Sequence, residues 1–149
     1  MKLKLIGILL LMMILAGCSG DVDPAEKPVQ WVGIYELEAT DYNFHFGAVN
    51  FENIKVGIVK LEDDTDLSQV QEGVIKNIEG RVQANGYFLV NSGNAYMLDL
   101  DPNHTHHVFN IPEAGRYAFI LERPADRVGF ILYSMQNLEM IPEDAYDVD

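Results

Sequence analysis

The stretch Asp99-Leu100-Asp101-Pro102-Asn103-His104-Thr105-His106-His107 holds three of the four histidines of this chain, with two carboxylates beside them. Imidazole nitrogens and carboxylate oxygens are the donors that zinc and copper take. A turn centred between Pro102 and Asn103 predicts a hairpin pairing Leu100 with Thr105, Asp99 with His106 and Leu98 with His107. Asp99 and His106 then share the outward face, with Asp101 and His104 close to the tip. His104, His106, Asp99 and Asp101 are therefore the candidate metal ligands, for zinc or copper. His107 falls on the inward face with Leu98 and Phe109. The plainer expectation is a solvated hairpin that needs no cofactor. Its Asp–His cross-strand pair would contribute a fraction of a kcal/mol.

Other chemistry has less support. Asp64-Thr65-Asp66-Leu67-Ser68 begins like a calcium loop. It carries Gln69 where an EF-hand needs glycine and Ile75 where it needs a bidentate glutamate, so a helix-capping loop is the better reading. Ser68, Ser92 and Ser134 sit in no G-x-S-x-G elbow, and there is no H-E-x-x-H pair and no phosphate-cradling glycine loop. The expectation is a protein that is not an enzyme, with an accessory hydrolase as a remote alternative. Phe, Tyr and Trp make up 10% of the chain and mostly occupy alternating positions that predict core. Trp31, Tyr87 and Tyr146 are the aromatics without an obvious inward place, and exposed rings of this kind stack on sugars.

The one cysteine, Cys18, has a different setting. Two lysines, Lys2 and Lys4, precede an apolar run from Leu5 to Leu15, and the small residues Ala16 and Gly17 lead into it. A charged start, a short apolar core and a small-residue cleavage site describe a secretory signal peptide. The run is too short for the roughly 20 residues of a membrane-spanning helix. Leu15-Ala16-Gly17-Cys18 resembles the lipobox of bacterial lipoproteins. That resemblance implies a diacylglyceryl group on the Cys18 thiol and cleavage before it. It also implies a membrane-anchored, extracytoplasmic location, outside the cell membrane or on the outer membrane of a two-membrane host. Ser19 stands where inner-membrane retention typically uses aspartate. Each buried methylene contributes about 0.8 kcal/mol, so two acyl chains anchor stably where one would not.

On this reading residues 1–17 are leader, 18–28 a polar lipidated tether, 29–141 a folded domain and 142–149 an acidic flexible tail. The formal charge of −13 becomes more negative by two when Lys2 and Lys4 leave. Such a charge argues against nucleic acid and against adhesion to anionic lipid, which leaves the acyl group as the membrane attachment. With no second cysteine, an apolar core rather than disulfides must hold the domain.

Positioning falls to strands. Tyr35 and Leu37 oppose Glu36; Tyr42, Phe44 and Phe46 alternate with Asn43 and His45; Ile54, Val56 and Ile58 alternate with Lys55 and Gly57. Thr65 or Asp66 caps a short helix through Val70, ending near Gly73. Asn85-Gly86 predicts a hairpin between Ile75–Gln83 and Tyr87–Val90. Turns near 91–94, 101–104, 112–115 and 123–126 separate further strands at about ten-residue spacing. The prediction is an all-β, antiparallel, jelly-roll-like sandwich of about eight or nine strands, with a small β-barrel as alternative. Phe109-x-Ile111-Pro112-Glu113-Ala114-Gly115-Arg116-Tyr117-x-Phe119-x-Leu121 resembles a strand–turn–strand of extracellular β-sandwich modules, jelly-roll carbohydrate-binding modules among them. The resemblance implies architecture and no ligand residue. Together these readings predict a lipid-anchored envelope protein that binds an envelope protein or polymer, with a metal-binding lipoprotein as the alternative.

Overall fold

The computed structural model describes residues 27–148. The leader, the lipidation candidate Cys18 and all of the tether before Lys27 lie outside the described residues. Ten strands and two helices follow in order: β1 Trp31–Leu37, β2 Asp41–Phe46, β3 Asn53–Lys60, α1 Leu67–Lys76, β4 Ile78–Val82, β5 Tyr87–Leu89, β6 Asn94–Asp99, β7 Thr105–Asn110, β8 Gly115–Leu121, α2 Ala125–Val128, β9 Ile131–Ser134 and β10 Asp144–Asp147.

They form two packed sheets, ordered β10-β1-β8-β3-β6-β4 and β5-β7-β2-β9. This is a sandwich, not the alternative barrel. Three antiparallel pairings are nested: β1 with β8, β3 with β6, and β2 with β7. That is the pairing of a jelly roll, in which a long hairpin is rolled over itself. The innermost pair of such a roll would be β4 with β5, and here it is split. β4 runs parallel to β6 at one edge of the large sheet, and β5 runs parallel to β7 at one edge of the small sheet.

The Asn85-Gly86 turn therefore does not close the predicted hairpin. Asn85 takes φ 62°, as its residue type allows, and the Gly86 N–H donates to the Gln83 carbonyl at 2.9 Å. The turn carries the chain from one sheet to the other instead. Ile75, expected in the strand before it, belongs to α1.

Alternation explains most elements. In β2, Tyr42, Phe44 and Phe46 are buried between the sheets while Asn43 and His45 face outward. β1 and β8 are buried on both faces. Tyr35, Leu37, Tyr117, Phe119 and Leu121 enter the central core, and Val32, Ile34, Ala118 and Ile120 lie on the far side of the large sheet under Val74 and Ile75 of α1. Gly57 allows the helix to come close, since a Cβ there would stand 2.9 Å from a Val74 methyl. Asp66 caps α1, its carboxylate accepting from the Ser68 N–H at 3.2 Å. The helix continues past Gly73 because Val74 and Ile75 have a sheet to bury against. That burial outweighs the roughly 1 kcal/mol that glycine costs inside a helix.

Three tyrosines fasten loops to the strands they precede. The Tyr42 hydroxyl accepts from the Glu38 N–H (2.8 Å), that of Tyr96 accepts from the Asn91 N–H (2.7 Å), and that of Tyr117 donates to the Glu113 carbonyl (2.6 Å). The Tyr117 bond fixes the Pro112–Gly115 turn singled out in the sequence. The acidic end of the chain corrects an expectation. Residues 144–147, predicted as part of a loose tail, form β10 against β1, and Glu143 receives Arg116 at 2.9 Å. Unpaired backbone groups of the β1 edge supply the attraction, and the exposed carboxylates remain in water.

Candidate functional site

The two outer faces of the sandwich differ. Helix α1 covers part of the large sheet, whereas among the described residues no helix lies on the outer face of the small sheet. The register of the small sheet arranges its outward side chains in rows. His106 stands opposite His45, and His45 opposite Ile131. The next row runs Tyr87, Val108, Asn43, Tyr133 across β5, β7, β2 and β9. A third holds Leu89, Asn110 and Asp41, where the Asn110 amide donates to the Asp41 carboxylate at 2.8 Å. Tyr87 and Leu89 are 54% and 66% exposed, a large share for apolar residues on one short strand. With strands about 4.8 Å apart, Tyr87 and Tyr133 bracket the face at roughly 14 Å.

The histidines meet at one end of this face. His104 precedes β7 by one residue and shares the outward side with His106 by alternation. Ring centroids are 4.8 Å apart for His45 and His106, 5.6 Å for His104 and His106, and 6.0 Å for His45 and His104. Tyr133 stands edge-on to His45 at 6.2 Å. The Nδ1 of His45 is buried and has no hydrogen-bond partner among the described residues. Partial burial lowers the His45 pKa, and the neighbouring imidazoles His106 and His104 lower it further. The Asn85 turn steadies this end, its side-chain oxygen accepting from the His106 N–H at 3.1 Å and the Gly86 carbonyl from the Val108 N–H at 3.0 Å.

The predicted ligand set is thus half assembled. His104 and His106 come together, but Asp99 and Asp101 do not join them. β6 and β7 lie in different sheets, so the expected Asp99–His106, Leu98–His107 and Leu100–Thr105 pairs do not exist. Asp99 instead holds Arg81 at 2.7 Å, and the Asp101 carboxylate accepts from the Asn103 N–H at 3.0 Å to close its turn. The chain corners between sheets at Pro102 rather than folding back in one. His45 is the residue the sequence reading missed. Its signal was present in the outward parity of His45 in β2 together with the nested pairing of a jelly roll, which sets β2 beside β7.

His107 is inward, as expected, and wholly buried, and among the described residues neither ring nitrogen makes a hydrogen bond of good geometry. Burial pushes its pKa down to about 4, opposed only in part by the nearby backbone of Asp99 and Gln83. It faces Phe46 edge-on at 6.0 Å and has no access to solvent. Of the other aromatics left unplaced by the sequence, Trp31 packs over Gly33 and against Phe130 at 5.5 Å, while Tyr146 is partly exposed on β10.

Surface depressions elsewhere are shallow. One of about 420 Å³ lies between Lys27, Gln30, Asp126, Arg127 and Asp147, and one of about 300 Å³ between Tyr42, Met135, Leu138 and Met140. The second is lined also by Asp41 and Ser134; the Ser134 hydroxyl accepts from the Leu138 N–H at 3.2 Å and the Asp41 carboxylate from the Asn110 amide. Compared with protein-family models, curated proteins and solved structures, the chain matches none.

Proposed function

We propose that this protein is a lipid-anchored, extracytoplasmic binding module of a bacterial envelope. On this reading Cys18 carries the diacylglyceryl group and the short tether presents the sandwich to a protein or polymer of the envelope. The observation that carries the binding part is the outer face of the small sheet, which no helix among the described residues covers, with Tyr87, Leu89, Val108 and Tyr133 on three of its four strands. Beside the polar Asn43, Asn110 and Asp41, the exposed Tyr87 and Leu89 put apolar surface where a sheet face turned to water ordinarily carries polar side chains. The anchoring part rests on Leu15-Ala16-Gly17-Cys18 behind its apolar run. Among the described residues no helix is long and apolar enough to cross a membrane.

Two measurements test the two parts separately. A Cys18→Ser variant should fold yet leave the membrane fraction for the soluble one. Retention on membranes through a detergent-free wash would exclude the lipid anchor. For the binding face, the detergent-solubilised protein and a Tyr87→Ser/Leu89→Ser variant are sedimented with purified envelope polymer and with envelope protein extract. The variant should lose at least tenfold in retention on whichever fraction the parent binds. Equal retention of both proteins would exclude this face as the binding surface.

A further inference from the structure

We infer that His45, His104 and His106 form a binding site for one divalent transition-metal ion of the zinc or copper type, on the outer face of the small sheet. Three observations carry the assignment. The backbone delivers three imidazoles to one side of one sheet: His45 and His106 face each other across the β2–β7 ladder, and His104 stands two residues from His106. The ring separations of 4.8, 5.6 and 6.0 Å are close to what a shared ion requires. A zinc–nitrogen bond of about 2.0 Å places each ring centre roughly 3 Å from the ion, so two rings in a tetrahedral shell have centres about 5 Å apart. Finally, the buried Nδ1 of His45 has no hydrogen-bond partner among the described residues, although imidazole nitrogens in such positions ordinarily find one.

Among the described residues no three His, Asp or Glu side chains already have their donors converged for a metal. Binding therefore needs the rings to turn about χ1 and χ2. His106 and His104 are exposed, and rotamer changes there require no movement of the strands. Three imidazoles are nitrogen donors that suit zinc and copper and offer little to calcium or magnesium. Asp99 and Asp101 have no part in this site, being held by Arg81 and by the turn at Asn103. With three protein ligands, a fourth position is left to water or to a ligand from solution.

The site rests on the histidines alone and not on what the aromatic rows of the same face bind. The test uses the full-length protein in detergent, stripped with chelator and then titrated with Zn²⁺ and, separately, Cu²⁺ by calorimetry and by metal analysis after dialysis. One equivalent of either ion per chain is expected. His45→Gln, His104→Gln and His106→Gln should each weaken binding at least tenfold, whereas Asp99→Asn and Tyr87→Ser/Leu89→Ser should leave it within threefold. Circular dichroism checks that each variant keeps its β spectrum. Because a histidine variant could weaken binding through loss of fold, a second readout is taken on the parent protein. Addition of the ion should shift the imidazole NMR signals of His45, His104 and His106 and leave buried His107 unmoved. Failure to bind either ion at one equivalent, retention of affinity in His45→Gln, or imidazole shifts confined to other residues would each overturn the assignment.

Discussion

Phe44→Ala is expected to lower the unfolding free energy by about 4 kcal/mol, in the range measured for large aromatic-to-alanine changes in rigid cores. Phe44 is fully buried on β2 and stacks on Phe109 at 4.3 Å. Its ring also meets Phe130 at 5.3 Å and Phe119, from the opposite sheet, at 5.5 Å. Phe46 and Phe88 complete the shell at 6.2 and 6.4 Å. The residue thus links both sheets and the segment after α2. Phe46, Phe88, Phe109 and Phe119 are fixed by strand ladders and cannot collapse into the space, so the lost contacts and the remaining cavity both count. A domain of this size has about 5–15 kcal/mol of stability in all, so the change removes a large fraction of it. Chemical denaturation of parent and variant measures the difference. A loss below about 1 kcal/mol would mean that Phe44 does not join the sheets as described.

Acidification should expose His107. Its pKa of about 4 in the folded protein lies below the roughly 6.5 of an unfolded chain, so the unfolded state binds more protons between those values. Stability is therefore complete above about pH 6.5 and falls as the pH drops toward 4, by about 3 kcal/mol from this one group. Partly buried His45 shifts in the same direction and adds to the trend. Replacing His107 with leucine removes the titration while filling similar space. Neither ring nitrogen makes a hydrogen bond of good geometry among the described residues, so the variant should be close to neutral at pH 7. At pH 4.5 it should be the more stable protein by about 2 kcal/mol. Denaturation curves at pH 7 and pH 4.5 decide the matter; an identical acid slope in both proteins would rule out His107 as its source.

Much of the fold could be read from alternation. The inward sets Tyr42, Phe44, Phe46 and Tyr96, Leu98, Leu100 follow from a period of two, because successive side chains of any strand point to opposite faces. Asp66 as a helix cap follows from a carboxylate placed to accept N–H groups of the first turn. The end of α1 did not follow, since Gly73 is a local stop and only the sheet beneath Val74 and Ile75 overrides it.

The candidate site was legible only in part, and for one reason. Local chemistry identifies a turn but not the sheet its far end joins. Asn85-Gly86 and Pro102-Asn103 both turn the chain, and both carry it across the sandwich instead of closing a hairpin. Asp99 and His106, close in sequence, therefore part, while His45 and His106 come face to face. Residues 144–147 show the same limit. Their acidity predicts solvation, which they keep on their side chains, while their backbone completes the edge of β1.

By itself the amino-acid sequence determined the inward parity of most strands, the positions of most turns, and that the folded part must be a β-core without disulfides, because these depend on side-chain type and spacing along the chain. Tertiary structure alone decided which strands are neighbours. Pairing depends on backbone hydrogen bonds that any residue except proline can make, so residue types say little about partners. The rolling of β1 on β8, β2 on β7 and β3 on β6 is what brings His45 of β2, His106 of β7 and His104 just before β7 onto one face.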